Sequence, residues 1–249
     1  MIRFIILLSI AFFSFVPQLL AQFEGEILFE LRQTDNGRTD VSEFSITAAS
    51  DRIYISSNRN LNLMSGLQSD GLLVRNDLQD FVFNTGTNEA LKVSKEDLDS
   101  LMDMIERFAG ASSAGENEKF DWENRLIETG NRQSYLGYEV AEFRVKGEQA
   151  DQYASIWMTT DIKVMWGLLS DVWRRAGDRF SDSELPVELV MNSNSFPLLI
   201  EVFDVGEEVA SLSAVQVEKD RFDRSVVELS DDKRMVSLTE MMMNMFRQR

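Results

Sequence analysis

The stretch FEGEILFELRQTDNGRTDVSEFSIT, residues 23 to 47, decides the fold class. Phe23, Ile27, Phe29 and Leu31 alternate with Glu24, Glu26, Glu30 and Arg32, the period-two pattern of a strand with one buried face. Thr34-Asp35-Asn36-Gly37 then supplies an Asn-Gly turn, and Phe44 and Ile46 alternate with Glu43, Ser45 and Thr47. The stretch predicts an antiparallel hairpin.

Downstream the same logic continues. Arg52 to Ser56, Gly71 to Asn76, Asp80 to Asn84 and Glu89 to Val93 read as further strands separated by Asn, Asp and Gly turn residues. Ser94-Lys95-Glu96-Asp97 resembles a capping box, with Leu98, Leu101, Met102, Ile105, Phe108 and Ala109 at helical spacing before Gly110. Residues 111 to 119 (ASSAGENEK) read as a small polar loop. Strands are expected at Asn124 to Glu128, Gly137 to Lys146 and Tyr153 to Thr159. A second helix is written by Met165, Leu168, Leu169, Val172, Trp173 and Ala176, with Thr160 or Asp161 as its cap and Gly177 at its end. Leu185 to Met191, Pro197 to Asp204 and Val209 to Glu218 read as strands, and a short helix from about Thr239 closes the chain. The expected class is α+β. One curved antiparallel sheet of about ten strands, an incomplete barrel, holds two or three helices on its concave face.

Upstream of the hairpin, Arg3 precedes the apolar run Phe4 to Val16, which leads to Pro17 and a small residue, Ala21. Such a run is too short for a membrane span of about 20 residues, so residues 1–21 are expected to be a cleaved signal peptide and residues 22–249 a single domain. The 249 residues carry a formal charge of −17, with no Cys and no His. That composition excludes Ser-His-Asp and Cys-His catalysis, His-based zinc sites, disulfides and a lipidated cysteine. An acidic surface without a basic cluster argues against nucleic-acid and anionic-membrane partners. The expected location is the bacterial periplasm or exterior, as a soluble, non-lipidated protein.

Several phrases carry a family resemblance. Gly71-Leu72-Leu73-Val74-Arg75-Asn76, Asp80-Phe81-Val82-Phe83-Asn84 and Glu89-Ala90-Leu91-Lys92-Val93, followed by a helix, resemble the central hairpins of the periplasmic lipoprotein carriers, LolA and its relatives. Residues 136–143 (LGYEVAEF), 156–161 (IWMTTD) and 196–204 (FPLLIEVFD) resemble successive strands of an exported bacterial family of unknown function with a similar layout. The resemblance implies a half-barrel around helices, whose apolar interior in the carriers accepts acyl chains. It transfers no functional residue.

The 42 acidic residues make some carboxylate pair inevitable, so a pair alone predicts solvated surface rather than acid-base catalysis. No stretch matches a calcium loop or a glycine-rich phosphate loop. Met241-Met242-Met243 and Met245 form an unusual cluster, but without His or Cys partners their soft thioethers read as packing or an adaptable groove rather than a copper site. No cofactor and no metal are expected. Met102, Met104, Phe108, Met165, Trp166, Leu169 and Trp173 are the candidate lining of a cavity for an apolar or lipid-like ligand. Trp157, Met241, Met242 and Met245 are the candidate surface for an envelope protein partner or for a lid. Leu238 shares the face of the terminal Met residues, and Thr239 or Ser237 is positioned to cap their helix.

Overall fold

In the computed structural model the alternation at residues 23–31 becomes the start of β1 (Gly25–Asp35), and the predicted hairpin partner is β2 (Arg38–Ala49). Asp35 pairs with Arg38, leaving a two-residue turn in which Gly37 adopts φ 75°, the left-handed region such turns require. The structure describes residues 22–35, 37–64, 67–85, 88–100, 122–147, 149, 151–177, 187–192, 194–229 and 233–247.

The remaining strands are β3 (Arg52–Met64), β4 (Leu67–Arg75), β5 (Asp80–Asn84), β6 (Glu89–Ser94), β7 (Leu126–Tyr135), β8 (Tyr138–Lys146), β9 (Tyr153–Thr159), β10 (Phe196–Asp204), β11 (Glu207–Lys219) and β12 (Arg234–Ser237). All twelve join one sheet in the order β12-β6-β5-β4-β3-β2-β1-β11-β10-β9-β8-β7. The first six strands meander one way from β1 and strands seven to eleven return to it, so β1 pairs with both β2 and β11. Only β12 runs parallel to its neighbour, β6. The sheet is open and curved, and the α+β class is as expected.

Four local expectations are corrected. Twelve strands replace about ten, and β12 was not anticipated. Asn124 belongs to a helical turn, Trp122–Arg125, so the strand there begins at Leu126 and runs to Tyr135. Within Leu185 to Met191, residues Val187–Val190 form a helical turn rather than a strand. The helix expected from Met165 starts at Gly167 and ends at Gly177, so neither Thr160 nor Asp161 caps it. The capping box is real: Ser94 Oγ accepts from the Asp97 N–H at 3.1 Å while Asp97 Oδ2 accepts from the Ser94 N–H and O–H, and residues 95–100 are helical. The remainder of that helix and the 111–119 loop lie outside the described residues.

Register places the core on one face. Leu91, Phe83, Leu72, Ile55, Ile46, Ile27 and Val217 stand directly opposite one another from β6 across to β11. On the same face Leu31, Leu212, Ile200, Ile156 and Phe143 extend the apolar surface to β8. Each such cross-strand contact adds a few tenths to about 1 kcal/mol, so the rows also fix the register.

Candidate functional site

The apolar face is occupied by the segment that leads into the Gly167–Gly177 helix. Ile162, Val164 and Trp166 are buried at every second position, the mark of an extended chain lying on the sheet, and Leu168 in the first turn of the helix is buried with them. They share one cluster with Ile27, Phe29, Val74, Phe81, Leu91, Phe196 and Leu198. Trp166 stacks on Phe196 with ring centroids 5.7 Å apart and planes 4° apart, and Phe196 in turn lies 6.1 Å from Phe29. At 5% exposure the Trp166 indole is enclosed, and among the described residues its Nε1–H has no acceptor.

A distant side chain fixes where the helix begins. Asn76, in the turn after β4, accepts from the Leu168 N–H at 2.8 Å and donates its amide to the Met165 carbonyl at 3.0 Å. It supplies in trans the capping that a preceding Ser or Asp normally gives. Gly167 is required at this junction, because its φ is +42° and a Cβ there would meet Asn76 Oδ1 at 2.3 Å.

The other side-chain phase of β8 to β11 carries two polar rows, while Val140 and Trp157 of the same phase pack into the main cluster. Arg32, Ser211, Glu201, Ser155 and Arg144 form one cross-strand row, and Glu30, Ser213, Leu199, Trp157 and Glu142 form the next. Glu142, 2% exposed, accepts from Thr129 at 2.8 Å, Asn131 at 2.7 Å, Arg144 at 2.7 Å and Ser155 at 2.8 Å. Burial alone would raise its pKa, but these four donors outweigh burial and bring it down to about 2. Glu201 behaves in the opposite way. Burial raises its pKa and the charges of Glu208 and Glu142 add to the rise, while the neighbouring Trp157 N–H opposes it without reaching hydrogen-bond geometry.

Tyr135, at the end of edge strand β7, donates to the Ala214 carbonyl on β11 at 2.9 Å. Four strand spacings of about 4.8 Å, roughly 19 Å on a flat sheet, separate those strands, far beyond the reach of a tyrosine. The β7–β8 hairpin therefore curls back toward β11, and its Tyr135 and Tyr138 pack against the main cluster. Glu142, Ser155, Thr159 and Ser211 of the polar phase are buried. At the other flank Asp80, 1% exposed, takes a two-pronged pair from Arg75 at 2.6 and 2.7 Å, with Lys92 at 3.3 Å. Asp80 and Glu142 correct the expectation that the carboxylates are solvated surface; both serve as saturated structural acceptors. Among the described residues no cluster of three acidic side chains is arranged to hold a metal.

The residues singled out in the sequence separate in space. Trp166 and Leu169 are buried in the main cluster, with Val172 half-buried against it. Met165 is 41% exposed and Trp173 42%, so they face outward from the same segment. Met102, Met104 and Phe108 lie outside the described residues. Trp157, paired with Glu142 and Leu199, is half-buried against the main cluster. Leu238 is buried and Met241 half-buried against the core at the start of the terminal helix, Leu238–Arg247, where Ser237 Oγ accepts from the Glu240 N–H at 3.2 Å. The side chains of Met242 and Met245 are outside the described set, and Met243 is exposed. Asn76, Tyr135, Glu142 and Glu201 were not anticipated from sequence. Their partners lie on other strands, and only the pairing register brings them together.

No family model matches the sequence. No curated protein matches it either. Among solved structures the chain is similar to PNGF-II, at 13% identity and a TM-score of 0.41, covering 88% of this chain and 32% of that one. The chain thus spans about a third of PNGF-II. It is also similar to an uncharacterized conserved protein from Thermus thermophilus, with 8% identity, TM-score 0.37 and coverage of 86% and 91%. A LolA superfamily protein from Nitrosomonas europaea is similar at 9% identity, TM-score 0.29 and coverage of 84% and 91%.

Proposed function

We propose that this protein is an exported, non-enzymatic binding protein that holds an apolar or lipid-like ligand against the helix-bearing face of its sheet. The observation that supports it most is the pair of apolar cross-strand rows, Leu91 to Val217 from β6 to β11 and Leu31 to Phe143 from β1 to β8. Around the buried cluster of Val145, Ile156, Met158 and Ile200, the side chains of Phe143, Ala154 and Leu212 stay only half-buried, as do Leu189 and Val190 of the short Val187–Val190 turn. Half-covered hydrocarbon of this kind is what an acyl chain would bury. The signal-like residues 1–21, the chain without His or Cys and the carrier-like strand phrases agree with the reading. On it, residues 22–249 act as one domain in the periplasm or outside the cell, without lipidation. No described helix is long and apolar enough to cross a membrane.

A second reading, an envelope interaction module with a filled core, is favoured by the exposed Met165 and Trp173 on one segment. Native mass spectrometry and solvent extraction of the protein purified after export distinguish the two. A co-purifying lipid mass supports the binding reading. A bare polypeptide that takes up no added lipid, together with an envelope partner lost on Trp173→Ala, replaces it with the second.

A further inference from the structure

We propose that the Trp166 indole N–H is the polar anchor of the bound ligand and takes a neutral ester carbonyl at the head of an acyl chain; this rests on the binding reading above. The cluster that holds this indole and Phe196 also contains Phe29, Ile162, Val164 and Leu198, all hydrocarbon side chains without an acceptor. Parallel stacking on Phe196, with planes 4° apart, keeps the N–H in a plane alongside that ring and prevents it from pointing into the ring's π face. Among the described residues Nε1 meets no acceptor, and a buried donor left in that state is disfavoured strongly enough that native proteins rarely retain one. The contrast with Trp157 is informative: its indole N–H is also without hydrogen-bond geometry, but the Glu201 carboxyl lies beside it. Among the described residues no acceptor is paired with the Trp166 N–H.

The chemistry of the site selects the acceptor. A cation cannot accept from N–H, and a free carboxylate would bring an unpaired charge into a hydrocarbon cluster, in a chain of net charge −17. An acyl ester combines the two features the face offers to a ligand: a hydrocarbon chain for the apolar rows and an uncharged carbonyl for the indole.

The test compares 1-monopalmitoylglycerol with 1-O-hexadecylglycerol, which lacks the carbonyl, using the exported full chain labelled with 15N. The chain has four tryptophans, and the indole resonance absent from Trp166→Phe assigns the Trp166 signal. The expected result is a downfield shift of that signal with the ester alone and about tenfold tighter binding of the ester, with Trp166→Phe abolishing the preference while binding the ether unchanged. Equal binding of both lipids with an unmoved Trp166 signal, or the same shift with each, overturns the anchor and leaves the binding reading intact. Binding of neither lipid overturns the reading itself. Should Trp166→Phe fail to fold, the affinity ratio and the indole shifts of the unmodified protein, the signal then assigned by sequential connectivity, decide the matter.

Discussion

Trp166 is buried in the main apolar cluster and Trp157 is half-buried against that same cluster, yet the two indoles meet different surroundings. The cluster that holds Trp166 is built from Leu, Ile, Phe and Val side chains, and among the described residues the Trp166 Nε1–H has no acceptor. Trp157 stands in the strand phase that carries Glu142, Arg144, Ser155, Glu201 and Ser211, with the Glu201 carboxyl beside its N–H and the hairpin of Tyr135 drawn back to β11. On the proposed function the first region takes up hydrocarbon. The second is tied together by hydrogen bonds.

Substitutions in each region should therefore differ in kind as well as size. Trp166→Ala removes a buried indole stacked on Phe196 and should destabilise the protein by about 3 to 5 kcal/mol in denaturant unfolding, whereas Trp173→Ala on the same segment should stay within about 0.5 kcal/mol. Equal losses would mean that the two faces of this segment have been confused. Glu142→Gln should cost about 2 kcal/mol at pH 7, because Arg144, Asn131, Thr129 and Ser155 lose a shared anion. With a folded pKa of about 2 against an ordinary 4.5, this stabilisation is complete above about pH 4.5 and fades as pH falls toward 2. The gap between wild type and Glu142→Gln should close over that window, as measured by urea unfolding at stepped pH.

Asn76→Ala should cost about 1 to 2 kcal/mol through loss of the Leu168 cap and the Met165 contact, with a loss of amide protection confined to the first turn of the Gly167–Gly177 helix. Unchanged protection there would remove Asn76 from its role. The smallest effect concerns Glu201. Its raised pKa means that ionisation weakens the folded state, so its contribution improves as pH falls through that value, opposite in sign to Glu142. Glu201→Gln should stabilise the protein at pH 7 by less than about 1 kcal/mol, and a loss of stability instead would show the carboxylate to be satisfied.

The alternation of Phe23 to Leu31 and of Phe44 and Ile46 was legible because each strand buries one face and a two-residue turn fixes their register. β12 was not legible: in Arg234–Ser237 only Val236 is buried, too little pattern to mark a strand. The 162–168 segment misled for a physical reason. Helical spacing groups Met165 and Trp173 with Leu168 and Leu169, but the chain is extended as far as Trp166, so Ile162, Val164 and Trp166 are buried with Leu168 and Leu169 while Met165 and Trp173 are exposed. The start of that helix is set by Asn76, 92 positions before Leu168. No local rule could have paired them. Glu142 and Glu201 look solvated in sequence because each follows the outward phase of its strand, and only the curled β7–β8 hairpin buries the outward phase.

The central proposal, that the apolar surface beside Trp166 takes up an acyl chain, is tested most directly by calorimetric titration of the purified protein with 1-monopalmitoylglycerol below its micelle concentration at several temperatures. Burial of apolar surface on binding gives a negative heat-capacity change whatever the sign of the enthalpy. The account predicts saturable binding at one lipid per chain with a clearly negative ΔCp. Absence of saturable binding, or binding with a ΔCp near zero, would contradict it.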